Sequence, residues 1–156
     1  MKKREIKILL VDDEPDILEI VGYNLSTEGY NVTTAKNGIE AIAKAKKEKP
    51  HLIILDVMMP EMDGIETCEQ IRKSTDLKDT IITFLTARGE DYSQVAGFDA
   101  GADDYITKPI KPKVLVSKVK ALLRRLKEDD EPVESIVKVG NITINRDEYK
   151  IIQSGE

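Results

Sequence analysis

The run Leu52-Ile53-Ile54-Leu55 constrains this chain more than any other stretch. Four consecutive apolar residues are too few for a helix. Successive side chains of a strand point to opposite faces, so an unbroken run places apolar groups on both. Strands of that kind belong to parallel sheets covered on each side by helices. The run ends in Asp56, and Pro60 and Gly64 then supply turn chemistry. Asp56 is either a solvated turn carboxylate or a functional group on a rigid support, and its company has to decide which.

The remaining segments repeat the pattern. Residues 6–11 read as a first strand, closed by Asp12-Asp13-Glu14-Pro15, with proline placed in the first turn of a helix. That helix carries Ile17, Ile20, Val21 and Leu25 on one face and stops at Gly29. Residues 30–35 alternate as a second strand, and a helix bearing Ile39, Ile42 and Ala43 runs on to Pro50. Strand three is the opening run, followed by a helix over 64–74. Residues 80–85 form a β-branched and aromatic fourth strand. The helix after it, around Val95 and Phe98, is weak, because Gly97 inside it costs about 1 kcal/mol relative to alanine. Residues 104–107 give a short fifth strand. Residues 114–126 form an amphipathic helix with Leu115, Val119, Leu122 and Leu126 inward and Lys118, Lys120, Arg124 and Arg125 mostly outward.

Five strands alternating with helices predict an α/β fold, a doubly wound five-stranded parallel sheet with right-handed crossovers. Residues 1–126 make this domain, and residues 127–135, charged and ending near Pro132, read as an acidic linker. Within 136–156, three short strands predict a small antiparallel β segment, which is marginal alone and calls for more sequence beyond it.

At 156 residues with 40% hydrophobic content, there is enough apolar material for one core and a small appendage. The basic N-terminus leads into an apolar run broken by Lys7 and ended by Asp12, so neither a signal peptide nor a membrane span is expected. One cysteine, Cys68, allows no internal disulfide, and a reducing cytoplasm is the expected setting. Its helical spacing from Ile65 and Ile71 predicts packing, and the one histidine, His51, stands before a strand. A net charge of −5 argues against nonspecific nucleic-acid binding by the chain as a whole.

In a parallel sheet all carboxyl ends share one edge, where ligands of such folds bind. Asp12 and Asp13, Asp56, Thr86 and Lys108 each fall at or just past the end of a different strand. Polar residues gather at strand ends for ordinary reasons, which explains any one of these. The set as a whole has a chemistry: clustered carboxylates repel unless a cation is present, and oxygen ligation without His or Cys points to a hard ion such as magnesium. Magnesium accepts phosphate oxygens, Lys108 can neutralise one anionic oxygen, Thr86 can donate to another, and Asp56 can act as a carboxylate nucleophile on phosphorus.

Val11-Asp12-Asp13-Glu14, Leu55-Asp56 with Pro60 and Asp63-Gly64, Leu85-Thr86-Ala87-Arg88, and Gly101 through Tyr105 to Lys108-Pro109 resemble the receiver domain of two-component response regulators, over about residues 5–125. The resemblance implies a flavodoxin-like strand order 2-1-3-4-5. It implies that Asp56 accepts a phosphoryl group from a partner histidine kinase and assists its own phosphorylation and dephosphorylation without being an enzyme. It also implies direct magnesium ligation by Asp13, Asp56 and the main-chain carbonyl of Met58, with Asp12 acting through water. Thr86 and Lys108 become phosphoryl contacts, Thr86 and Tyr105 a switch pair, and Lys108-Pro109 a cis peptide. The tail is similar to the start of the winged-helix effector of the OmpR/PhoB subfamily, truncated here, so DNA binding and transcriptional control belong to the missing region. That subfamily implies a phosphorylation-dependent homodimer through the fourth helix, fifth strand and final helix.

Certain positions depart from the pattern. Gln94 and Val114 stand where a basic and an acidic residue are usual at the dimer face, leaving Asp99, Asp103, Lys118 and Arg125 for pairing. Met58 and Arg88 occupy positions that tune hydrolysis of the aspartyl phosphate, and neither offers a carboxylate or amide to orient water. An aspartate-nucleophile phosphatase is the enzyme alternative, but it would carry a general acid where Met58 stands. A docking adaptor without DNA output is the other alternative, and the strand-rich tail argues against it.

Overall fold

The computed structural model describes residues 2–87 and 99–130. The weak helix around Val95 and Phe98, together with Arg88, Gln94 and the segment from 131 onward, lies outside the described residues. The chain divides into two units, Met1–Leu123 and Arg124–Glu156, and the sheet belongs to the first. Its elements are β1 (Lys7–Val11), α1 (Pro15–Thr27), β2 (Asn31–Ala35), α2 (Gly38–Glu48), β3 (Leu52–Asp56), α3 (Gly64–Arg72), β4 (Ile81–Ala87), β5 (Asp104–Lys108) and α4 (Pro112–Asp130). The strands pair in the order β2-β1-β3-β4-β5, all parallel. This is the sheet that the alternating sequence pattern predicts.

Register follows from burial. Leu9 pairs with Ile53 and Ile53 with Ile82, and Val11 pairs with Leu55 and Leu55 with Phe84. These residues form one core with Ala41 and Ala45 of α2 and Cys68 and Ile71 of α3. The alternate residues Ile8, Leu10, Leu52 and Ile54 are equally buried on the other face. There α1 packs against β1 and β2. Buried Val21, Leu25, Leu115, Val119 and Leu122 supply the apolar cover, and Lys120 of α4 reaches Glu28 at the end of α1 (3.2 Å). A one-residue slip of β3 would change which side chains meet each helix layer, and both layers are already filled.

The helices differ from expectation in which residues they bury. Ile20 and Ile39 are exposed and Ala43 faces solvent, whereas Ala41 and Ala45 are buried. Close packing explains the preference on α2: a Cβ at Gly38 would lie 2.9 Å from Met62 Sδ and press on Thr67 Oγ1, so only small residues fit along that seam. Cys68 is fully buried and its thiol is pushed up to about 11 by burial, so it serves packing. The final helix runs to Asp130, four residues into the stretch expected to be linker; no glycine or proline interrupts it before Pro132.

Arg72, at the end of α3, ties the far end of the sheet together. Its guanidinium donates to the carbonyls of Gly101 (2.9 Å), Leu77 (3.1 Å) and Thr80 (2.7 Å) and pairs with Asp103 Oδ2 (3.0 Å). The same Asp103 oxygen accepts the Ile82 N–H (2.9 Å), and the Asp103 N–H donates to the Ile82 carbonyl (2.7 Å). The entry into β5 is thus pinned to the start of β4 by one planar cation. Asp103, expected at a dimer face, spends one carboxylate oxygen inside the chain while the residue stays exposed. Arg72→Met should cost about 2–4 kcal/mol in urea unfolding, because it strands several carbonyls and a carboxylate. Arg72→Lys should recover less than half, since an ammonium lacks the fork geometry.

Candidate functional site

The edge at which β1, β3, β4 and β5 end gathers the chemistry. The pairing of Val11 with Leu55 sets Asp12 and Asp56 at neighbouring strand ends. Ala87 pairs with Lys108, which brings the lysine to the same edge from β5. Asp12, Asp13 and Asp56 each offer a carboxylate oxygen, all within 4.8 Å of one another. Lys108 Nζ lies 3.3 Å from Asp56 Oδ1, 3.3 Å from Asp12 Oδ2 and 3.6 Å from Glu14 Oε1. Three carboxylates thus crowd a single ammonium, and Asp13 adds a fourth beside Asp12 and Asp56.

Local structure fixes each group. Asp12 is fully buried, and its Oδ1 accepts the Glu14 N–H (2.9 Å). Its Oδ2 is ion-paired to Lys108 without accepting an aligned hydrogen bond, so it retains unused acceptor capacity. Asp56 is 3% exposed, and its Oδ1 accepts the Met58 N–H (3.3 Å). The loop after Asp56 returns tightly: Gly64 donates to the Val57 carbonyl (2.9 Å), and a Cβ on Gly64 would lie 2.9 Å from Val57 Cα and collide with the Asp56 carbonyl. Glycine there lets α3 start directly beneath the carboxylate. Asp63 caps α3 by accepting the Glu66 N–H (2.8 Å). The Lys108–Pro109 peptide is cis.

Electrostatics mark Asp56. Burial, then the neighbouring Asp12 charge, raise its pKa from the ordinary 3.8 to about 7, against the opposing pull of Lys108 and the Met58 N–H. Burial also raises Asp12, offset in part by the Glu14 N–H and Lys108. For Lys108, burial lowers the pKa, but Asp56 and Asp12 outweigh it and hold the ammonium above its ordinary value.

Asp13, Glu14, Asp56, Met58 and Lys108 line an open cleft of about 240 Å³. Thr86 lies inside β4, one residue past the partner of Asp56, with its hydroxyl buried and unpartnered. Tyr105 is half-buried, with Lys118 Nζ 5.5 Å from its ring centroid and hydrogen-bonded to its carbonyl (2.9 Å). Lys118 also lies 3.7 Å from Asp104, while Asp99, Val114 and Arg125 are exposed. Glu14 went without a role in the sequence reading although it adjoins the Asp12-Asp13 pair; its reach to Lys108 depends on how α1 begins. The set fits a hard cation: oxygen donors only, converging, with one buried oxygen under-used.

The family described as the response regulator receiver domain matches residues 8–120. This chain belongs to that family. It is 44% identical over 153 residues to the alkaline phosphatase synthesis transcriptional regulatory protein PhoP of Bacillus subtilis, covering 92% of this chain and 62% of that protein. It is 43% identical over 156 residues to the transcriptional regulatory protein ResD of the same organism, covering 97% of this chain and 64% of that protein. The chain thus spans under two thirds of the length of these relatives. Among solved structures, the chemotaxis protein CheY4 of Vibrio cholerae superposes with a TM-score of 0.72 at 36% identity, covering 74% of this chain and 97% of that one. The BeF3-activated DrrB receiver domain gives 0.68 at 37%, covering 76% and 97%. Among the described residues, no helix is long and apolar enough to cross a membrane.

A carboxyl group whose folded pKa is raised binds its proton more tightly than in the unfolded chain, so stability falls as pH rises from about 4 through about 7. Without added metal, Asp56→Asn should therefore be more stable than the parent by about 1–3 kcal/mol at pH 8 and nearly equal to it at pH 4, as read by thermal melting at both pH values.

Proposed function

We propose that this receiver takes a phosphoryl group on Asp56 from a partner histidine kinase. The reading is carried by the convergence of Asp12, Asp13, Asp56 and Lys108 on one sheet edge. An Asp56 oxygen attacks phosphorus; the O–P bond forms as the P–N bond to the kinase imidazole breaks, and the imidazole leaves with the electron pair. Lys108 lies against Asp56 and is placed to offset the charge of an equatorial oxygen, and the unpartnered Thr86 hydroxyl is a donor for another. Asp12, Asp13, Asp56 and the Met58 main-chain carbonyl are the groups that would hold magnesium. Bound there, it would neutralise carboxylate repulsion and accept phosphoryl oxygens.

The half-buried Tyr105 lies two residues after Asp103 and three before Lys108 on the edge strand β5. A new charge at Asp56 that draws Thr86 and Lys108 therefore acts next to it, and we assign Thr86 and Tyr105 as the switch. The output is a homodimer through β5, α4 and the segment that precedes β5, which lies largely outside the described residues, in a longer cytoplasmic protein whose remaining region binds DNA. Residues 1–126 are the receiver, 127–135 a linker whose first four residues continue α4 to Asp130, and 136–156 the start of the effector. Asp99 and Arg125 are the exposed charges offered for cross-subunit pairing; Asp103 and Lys118 must share theirs with Arg72 and Asp104. Lacking an acid at Met58, the site stores a phosphoryl group and does not turn over substrate as a phosphatase would.

Incubation with acetyl phosphate and magnesium should add one phosphoryl group by mass to the parent and none to Asp56→Asn. The group should persist for minutes to hours; uptake by the variant, or loss within seconds, would overturn the assignment. In sedimentation, the phosphorylated parent at micromolar concentration should be a dimer and the Asp56→Asn protein a monomer under the same conditions.

A further inference from the structure

Met58, Met59 and Met62 all stand on the loop between β3 and α3, and the fold treats them differently. Met58 is 57% exposed and lines the cleft, while its own N–H touches Asp56 Oδ1. Met59 is 8% exposed and belongs to the core. Met62 is half-buried and lies against Gly38 of α2. Oxidants reach a thioether according to its exposure, so these three sulfurs should be graded in reactivity, with the one beside the phosphoacceptor foremost.

We propose that Met58 is a site of reversible oxidation by peroxides that shortens the life of the phosphoryl group on Asp56. The site stands on the exposure of Met58 beside the phosphoacceptor; the coupling rests on the function proposed above. The step balances simply. A peroxide oxygen is transferred to Sδ, one S–O bond forms as the O–O bond breaks, sulfur gives up two electrons to the peroxide, and water leaves. Two external thiols reverse it: they supply two electrons and two protons, end as a disulfide, and the sulfoxide oxygen leaves as water.

The consequence follows from what replaces what. A thioether is a poor acceptor, so the present rim offers little to hold a water against a phosphorylated Asp56. A sulfoxide is polar and a strong acceptor on the same flexible stem. It both hydrates the rim and supplies an oxygen that can orient a water beside the carboxylate. Both effects favour hydrolysis. The gain should be about three- to tenfold, below the hundredfold or more of a true general base, because a sulfoxide orients water without removing its proton.

The test treats the protein with limiting hydrogen peroxide, locates added oxygen by tandem mass spectrometry, then phosphorylates with acetyl phosphate and magnesium and follows decay by mass. Met58 should gain oxygen ahead of Met59 and Met62, and the phosphoryl half-life should fall about three- to tenfold. Met58→Leu treated alike should keep its untreated half-life. Oxidation of Met59 or Met62 first would overturn the site. An oxidised Met58 with an unchanged or longer half-life would overturn the coupling. An untreated parent that takes up no phosphoryl group defeats the function reading and the coupling with it, while the order of oxidation still decides the site.

Discussion

Like charges held together at the edge of an apolar sheet are the constraint on which this structure turns. Asp12, Glu14 and Asp56 share one ammonium, Lys108, with Asp13 beside them, which leaves an uncompensated negative cleft. Left to themselves these groups would separate into water. They stay because the strands that carry them cannot move: every residue from Ile8 to Val11 and from Leu52 to Leu55 is buried. Each such side chain contributes about 1.5–3 kcal/mol on burial. Eight of them outweigh a carboxylate desolvation penalty of a few kcal/mol. The raised pKa of Asp56 is the part of that penalty that remains visible.

The same constraint explains why the sheet was legible in the sequence and the helix faces were not. Runs such as Leu52–Leu55 encode burial on both faces directly, and the carboxylates that end them are ordinary letters in fixed places. Helix faces depend on the distance at which a helix packs, which periodicity does not carry. Ile39 offered a larger apolar side chain than Ala41 or Ala45, yet α2 lies close to α3 and only alanine and glycine fit the seam. Glu14 and Arg72 escaped for a related reason. Their partners, Lys108 and the Gly101 to Asp103 turn, are distant in sequence, and a charged residue at a helix start or end reads as solvated.

β5 is where these forces meet. Like β2 at the opposite side, it is an edge strand of five residues, and among the described residues it pairs with β4 alone. Its entry is pinned by Asp103 and Arg72, its middle by Lys118 on the Tyr105 carbonyl, and its exit by Lys108 among three carboxylates. All three anchors are electrostatic. Beyond its ladder to β4 and buried Ile106, β5 is thus anchored by charged groups that respond to a change of charge, whereas β1 and β3 are packed on both faces. A phosphoryl group on Asp56 adds negative charge at the exit anchor alone.

That asymmetry also limits what the cleft can do by itself. Asp56 is almost wholly buried and Met58 screens its open side with a side chain that neither donates nor accepts strongly. Turnover would require a group that gives or takes a proton at the mouth; of the exposed carboxylates there, Asp13 lies in the cluster with Asp12 and Asp56, and Glu14 faces Lys108 at 3.6 Å. Both exposed carboxylates are thus engaged with the charge cluster, and the Met58 side of the rim is apolar. On the function proposed above, a polar atom brought to the Met58 side of the rim, by a partner protein or by chemistry on the rim itself, is what would favour hydrolysis there.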